Sequence, residues 1–156
     1  MQDILTCAMG LDVHRDIIVA CLVKGAVDAE PEAETRTFST LIPEMQKLRD
    51  WVIESECRNI AMESTGIYWQ PIYEMLESCF DGEISILVVN ARHMKNVPGR
   101  KTDMKDAQWI ATLLRAGLLK GSFIPDKAFR ELRHLTRYRK SVVHDTVSYT
   151  HLRAHE

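Results

Sequence analysis

Four acidic side chains stand where their type and setting could do chemistry: Asp12, Glu63, Asp103 and Asp106. Asp12 closes the first apolar run of the chain, and Glu63 lies inside another, Ile60-Ala61-Met62-Glu63. Asp103 and Asp106 are three residues apart at the start of a segment with helical spacing, which would turn both carboxylates to one side. Carboxylates are rarely buried unpaired, because stripping water from the charge costs several kcal/mol. A hard divalent cation answers that cost. Mg²⁺ prefers carboxylate oxygens, keeps several waters and is commonly shared between one or two carboxylates and substrate phosphates. Each residue taken singly also has an ordinary use. Asp12 can serve as a turn residue, Glu63 can pair with an arginine, and Asp103 and Asp106 can complement the positive end of a helix. The argument for a metal site is the set of four together, with cationic residues beside the last pair.

The elements that must position them follow from periodicity. Residues 6–13 and 17–23 read as two strands of a hairpin, and residues 35–39 as a third antiparallel strand. Pro43 suits the first turn of a helix with Thr40 as its cap, and Met45, Leu48, Trp51, Val52 and Ser55 follow at helical spacing. Residues 59–65 are a short strand broken by Gly66, and residues 67–80 a second helix carrying Tyr68, Ile72, Met75, Leu76 and Cys79. The near-continuous apolar run within 83–90 predicts a central strand covered on both faces. A basic loop with Pro98 and Gly99 leads to a helix from near Thr102 to Gly117, and Pro125 opens a last, strongly basic amphipathic helix. Strand, helix, strand, helix, strand predicts an α/β fold.

Bulk properties narrow the function classes. The 156 residues allow one domain with a real core, and 46% hydrophobic with 27% charged residues fits an ordinary folded protein. No apolar run approaches the roughly 20 residues of a bilayer span, and the start lacks a signal-peptide pattern, so a cytoplasmic protein with no membrane partner is expected. Cys7, Cys21, Cys57 and Cys79 form no CxxC pair and read as small apolar residues. The net charge of −2 hides a split: residues 1–91 hold 6 Lys or Arg against 16 Asp or Glu, and residues 92–140 hold 13 against 4. A basic segment of that density suits a phosphate-binding surface, or simply a solvated helical face.

The segments Gly10-Leu11-Asp12-Val13-His14, Met62-Glu63-Ser64-Thr65-Gly66-Ile67-Tyr68, Val88-Val89-Asn90-Ala91 and Lys101-Thr102-Asp103-Met104-Lys105-Asp106-Ala107 resemble the DEDD transposases of bacterial insertion sequences. The resemblance runs in order from about Met9 to Asp145. It implies an N-terminal domain similar to the Holliday-junction resolvase RuvC, with an RNase H-like mixed sheet, an antiparallel hairpin and flanking helices. It implies that Asp12, Glu63, Asp103 and Asp106 are the catalytic, metal-binding carboxylates, holding Mg²⁺ or alternatively Mn²⁺. Lys95, Arg100, Lys101, Lys105, Arg130, Arg133 and Arg137 are then the expected contacts to nucleic acid. The implied partners are DNA, a structured bridge RNA that guides recombination, and further copies of the chain. The family also implies a coiled coil after this domain and a second domain with a serine nucleophile.

The expected division is a RuvC-like domain over 1–124, a basic helix starting the coiled coil over 125–146, and a tail over 147–156. That tail, VSYTHLRAHE, matches one translated frame of a tagmentation sequencing adapter, so it is expected to be foreign to the fold. The leading expectation is a DNA transposase or recombinase domain acting by metal-dependent phosphoryl transfer on phosphodiesters. The alternatives are an inactive nucleic-acid-binding and oligomerisation fragment, a RuvC-like junction nuclease, and, disfavoured by the lack of a second glycine-rich phosphate loop, an actin-like ATPase. Deleting residues 147–156 should leave the unfolding midpoint essentially unchanged. A loss as large as that from truncating a buried side chain would show that the tail packs.

Overall fold

Alternating side chains along the first two strands give each a buried set on either face, which only a sheet covered on both sides can satisfy. A computed structural model describes residues 2–64, 66–97 and 105–154. Strands β1 (Cys7–Val13) and β2 (Ile17–Lys24) pair antiparallel around a turn closed by His14 N–H donating to Ile17 O at 2.9 Å. β3 (Glu32–Ser39) extends the hairpin, while β4 (Asn59–Ser64) and β5 (Ser85–Asn90) add in parallel on the other side of β1. The order is β3-β2-β1-β4-β5, and this mixed five-stranded sheet with flanking helices is the expected α/β architecture.

Helices α1 (Ile42–Glu54) and α2 (Trp69–Phe80) cover one face, over the buried Met9, Leu11, Ile60, Met62 and Val88. Short helix α3 (Ala91–Lys95) follows β5 directly. Helix α4 (Asp106–Arg115) covers the other face, where Ala8, Ala61 and Val89 form one cluster with Ile110 and Leu114. Cys21 and Val23 form a second cluster there with Ala107 and Ala111. The residues of β1 and β4 under α4 are small, and at Gly10 the contact is backbone to backbone. A Cβ there would overlap the Ala107 carbonyl oxygen and lie 2.6 Å from Ala111 N. The far end of α4 is anchored by Arg115, which is 1% exposed. Its guanidinium donates to the carbonyls of Leu5, Gly25 and Ala26 and lies 2.8 Å from the Asp3 carboxylate.

Several elements differ from expectation for local reasons. Thr40 does not cap α1. Its Oγ1 donates to Arg15 O at 2.9 Å, tying the end of β3 to the hairpin turn, and Leu41 is the N-cap without a side-chain bond. Among the described residues β5 is an edge strand rather than a central one. Its outer side is covered by irregular chain, with Ser122 N–H donating to Val88 O at 2.7 Å and Gly121 packed against Leu87. Helix α4 begins at Asp106 and not near Thr102, because Lys105 is extended (φ −62°, ψ 150°).

The chain divides into two compact units, Met1–Ser122 and Phe123–Glu156. The second holds α5 (Lys127–Ala154), opened by Asp126 Oδ1 accepting from Phe129 N–H at 2.9 Å rather than by Pro125. It continues without a break through residues 147–154, which are exposed. None of the described helices is long and apolar enough to cross a membrane.

The contact at Gly10 makes a direct prediction. Gly10→Ala forces a methyl into backbone that no rotamer change can relieve, so it should lower stability by about 3 kcal/mol, the upper part of the usual overpacking range. Urea unfolding followed by circular dichroism measures this, and an unchanged midpoint would contradict the seating of α4 on β1.

Candidate functional site

In β1 the face that carries Ala8 and Gly10 also carries Asp12, and in β4 the face that carries Ala61 also carries Glu63, because side chains repeat every second residue. Leu11 pairs with Met62 in the parallel register, so the next step along both strands brings Asp12 level with Glu63. Neighbouring strands are about 4.8 Å apart, so the two carboxylates leave adjacent backbones on one face at the carboxyl ends of β1 and β4. Both lie just past the ground that α4 covers. The open end of parallel strands is where α/β sheets commonly present ligand sites.

Asp12 has a side chain only 14% exposed, and its Oδ2 lies 3.0 Å from Nε2 of the exposed His14. Glu63 is half-buried and opposes Val89 of β5. Asp106 is exposed and is the first residue of α4, where the positive end of the helix favours a carboxylate. The Gly10–Ala107 contact fixes that first turn over β1. Glu63 and Asp106 line one cavity of about 330 Å³ together with Lys95, Ala91, Met94, Val97 and Trp109. Helix α3 brings Met94 and Lys95 to it. Its start is capped by Asn90 Oδ1, which accepts from Arg92 N–H at 2.9 Å, and Lys120 N–H donates to His93 Nε2 at 3.2 Å.

The expected residues therefore separate into groups. Glu63 and Asp106 share a cavity, and Asp12 stands on the neighbouring strand at the same end of the sheet. Asp103, Arg100 and Lys101 lie outside the described residues. The reasoning that set Asp103 and Asp106 on one face of a single helix does not hold, since the extended Lys105 separates Asp106 and its helix from what precedes it. Among the described residues no three His, Cys, Asp or Glu side chains converge on one point.

Lys95 and Lys105 are exposed beside these carboxylates in the chain's basic half, and on α5 Arg133 and Arg137 are exposed as well. Arg130 is instead buried, with Nη1 donating to Pro125 O at 2.8 Å, so its guanidinium is not presented to solvent. Sequence reasoning did not find the cavity walls Trp109, Met94 and Val97. The available signal for Trp109 was its place three residues after Asp106 on one helix. Nor did sequence reasoning find the His14–Asp12 pair, in which His14 lies one residue past the end of β1.

The donor set is chemically coherent. Carboxylate oxygens suit a hard divalent cation, a lysine ammonium is a point charge suited to a phosphate, and Trp109 with Met94 makes an apolar wall. The fold is shared with solved structures. The Thermus thermophilus RuvC structure superposes with a TM-score of 0.52 at 12% identity, covering 74% of this chain and 99% of that one. The T. thermophilus RuvC in complex with Holliday junction substrate gives 0.54 at 13% identity, covering 76% of this chain and 100% of that one. No curated protein matches. The family model of the IS110-type DEDD transposases, described as a transposase, matches residues 9–155. With that match across nearly the whole chain, on a RuvC-like sheet with acidic side chains at the carboxyl ends of its parallel strands, the protein belongs to the IS110-type DEDD transposase family.

Proposed function

We propose that this chain is the nuclease-like domain of a DNA transposase, acting on DNA phosphodiesters through a divalent metal held by Asp12, Glu63, Asp103 and Asp106. One observation carries the reading: Glu63 from β4 and Asp106 from α4, remote in sequence, open onto one cavity with Lys95 at the carboxyl ends of three parallel strands. The residues fit the ion. Two carboxylates share a cavity large enough for an ion with waters, and a third stands on the next strand, all of them hard oxygen donors. When bound, Mg²⁺ or Mn²⁺ supplies charge neutralisation at a phosphodiester and stabilises the attacking and leaving oxygens.

The chain's own residues would do the rest. Lys95 would hold a phosphate at the cavity rim, and Lys105, at the entry to α4, would hold the next along the strand. Such contacts position a nucleic acid without reading its sequence, so target choice would rest with a structured guide RNA. The His14 ring would hold the Asp12 carboxylate in one orientation. Trp109 and Met94 would keep the cavity wall dry and narrow. The serine nucleophile of the full family machine would act on the same DNA from another domain.

Two measurements test the reading. Mg²⁺ or Mn²⁺ at about 100 times its Kd should raise the stability of the parent by roughly 2–3 kcal/mol, and the rise should vanish when Asp12 and Asp106 are both changed to Asn. A double variant that responds to metal as the parent does would place the site elsewhere. In filter binding across a salt series, Lys95→Ala with Lys105→Ala should weaken duplex and stem-loop binding and flatten the slope of log K against log salt by about two units, near one per phosphate contact. Asp106→Asn should hold or tighten metal-free binding, because it removes a negative charge from the phosphate path. An unchanged slope in the lysine variant would remove both residues from the interface.

A further inference from the structure

At the opposite end of the strands from the carboxylates, two thiols meet. Cys7 opens β1, and Cys57 sits in the connection from α1 to β4. The meeting is built by backbone geometry. Glu56 adopts a left-handed conformation (φ 55°) and donates to Ile53 O at 3.1 Å, while Cys57 N–H donates to Val52 O at 3.3 Å. This helix-ending turn folds Cys57 back beside the first residue of β1. Asn59 fastens the arrangement from both sides, with Nδ2 donating to Cys7 O at 3.4 Å and its carbonyl accepting from Cys57 Sγ at 3.2 Å. The two side chains are thereby brought to the same end of the sheet, and Lys24 opposes Cys7 across the β1–β2 pair. Cys7 is half-buried, whereas Cys57 is 1% exposed and forms part of the wall of a second cavity, of about 390 Å³. Thus one sulfur is reachable and its neighbour is sheltered, the usual division between an attacking and a resolving thiol.

We propose that Cys7 and Cys57 are a redox-sensitive thiol pair that a hydroperoxide converts into an intramolecular disulfide. The Cys7 thiolate attacks the peroxide oxygen, the O–O bond breaks, and the departing hydroxide or alkoxide takes up a proton, leaving Cys7 as a sulfenic acid. The Cys57 sulfur then attacks the Cys7 sulfur, forming the S–S bond and expelling hydroxide, which takes the Cys57 proton and leaves as water. Two thiols are oxidised by two electrons, and one peroxide is reduced to two waters, or to water and an alcohol. The electrostatics favour that division of labour. The neighbouring Cys57 side chain, assisted by the Lys24 ammonium against some desolvation, lowers the Cys7 thiol to about 7. Cys57 is pushed up by the neighbouring Cys7 side chain and by burial, so it keeps its proton until Cys7 has reacted. Cys21 is buried with its thiol pushed up by desolvation, and Cys79 is exposed without such a partner thiol, so the two serve as internal controls. The pair touches none of Asp12, Glu63 and Asp106, so its fate is independent of the metal reading.

The test is differential alkylation and peptide mapping of the full chain after hydrogen peroxide, with and without dithiothreitol. The expected result is loss of two thiols and a single Cys7–Cys57 cross-linked peptide, lighter by two hydrogens and restored by the reductant. The alkylation rate of Cys7 by iodoacetamide should rise through an inflection at about pH 7. In Cys57→Ala that inflection should move upward, and the rate at neutral pH should fall several-fold. Cys7→Ser should yield no cross-link at all. Oxidation confined to Cys79, or Cys7 carried on to sulfinic acid without a cross-link, would overturn the proposal. If Cys57→Ala fails to fold, mapping of the parent and of Cys7→Ser decides alone.

Discussion

The fold's function hangs on a missing side chain. At Gly10 the backbone of β1 and that of α4 touch directly, so the helix is seated by main-chain contact rather than by side chains that could repack. Ala8, Ala61, Ala107 and Ala111 keep the surrounding surfaces low enough for this approach. Close packing of this kind tolerates little displacement. The register of α4 along the strand is fixed by the contact, and with it the position of Asp106, one residue before Ala107. Arg115 secures the other end by binding three carbonyls and Asp3. A buried guanidinium held in this way is costly to unseat, since removing it strands the carbonyls it serves. A helix held at both ends presents its first turn as a rigid feature.

That rigidity matters because the carboxylates sit where the covering stops. Asp12 and Glu63 continue the same alternating face as Ala8, Gly10 and Ala61, but they lie past the start of α4, where the sheet face is no longer roofed by the helix. They therefore keep partial access to water while their backbones are fixed in a sheet. Such a setting lowers the cost of a charged group relative to full burial, and it holds the oxygens in place before any ion or phosphate arrives. The first turn of α4 adds positive potential at the same end, which offsets part of the repulsion among acidic groups drawn together. Preorganisation of this sort is what carboxylates need if they are to favour a transferring phosphoryl group.

Much of this was legible from the sequence, and the failures share a cause. The hairpin, the short strand holding Glu63 and the helix over Ala107, Ile110 and Leu114 all followed from periodicity, which reports burial directly. Periodicity cannot tell who does the burying. The apolar run in β5 predicted helices on both faces and neighbours on both edges. Its outer edge is covered instead by irregular chain, whose Ser122 donates to Val88 O. Likewise Thr40 has the composition of a cap, but its hydroxyl is claimed by Arg15 O, a partner distant in sequence. The start of α4 was misplaced because an Asp three residues before another suits a helix, and only the extended backbone at Lys105 rules it out. The cavity walls Trp109 and Met94 and the Cys7–Cys57 pair are purely tertiary facts, assembled from elements with no local mark of their association.

The opposite charges of the two halves gain a structural meaning once the order of elements is known. The acidic half builds the sheet up to β5, and so contributes Asp12 and Glu63 from its strands. The basic half begins at α3, the first element after the last strand, and it leaves the sheet at the carboxyl end. A cation placed early in its course, as Lys95 is, is therefore delivered to the edge where the acidic strands terminate. Lys95 lines the Glu63–Asp106 cavity by this route, and Lys105 stands immediately before α4. Here Lys95 and Lys105 are exposed, so their fields extend into solvent, where an approaching polyanion meets them before it meets the carboxylates. Under the proposed reading that sequence of encounters is what allows an acidic site to accept a phosphate backbone: cations at the rim hold the strand, and the carboxylates behind them wait for the ion that bridges the two.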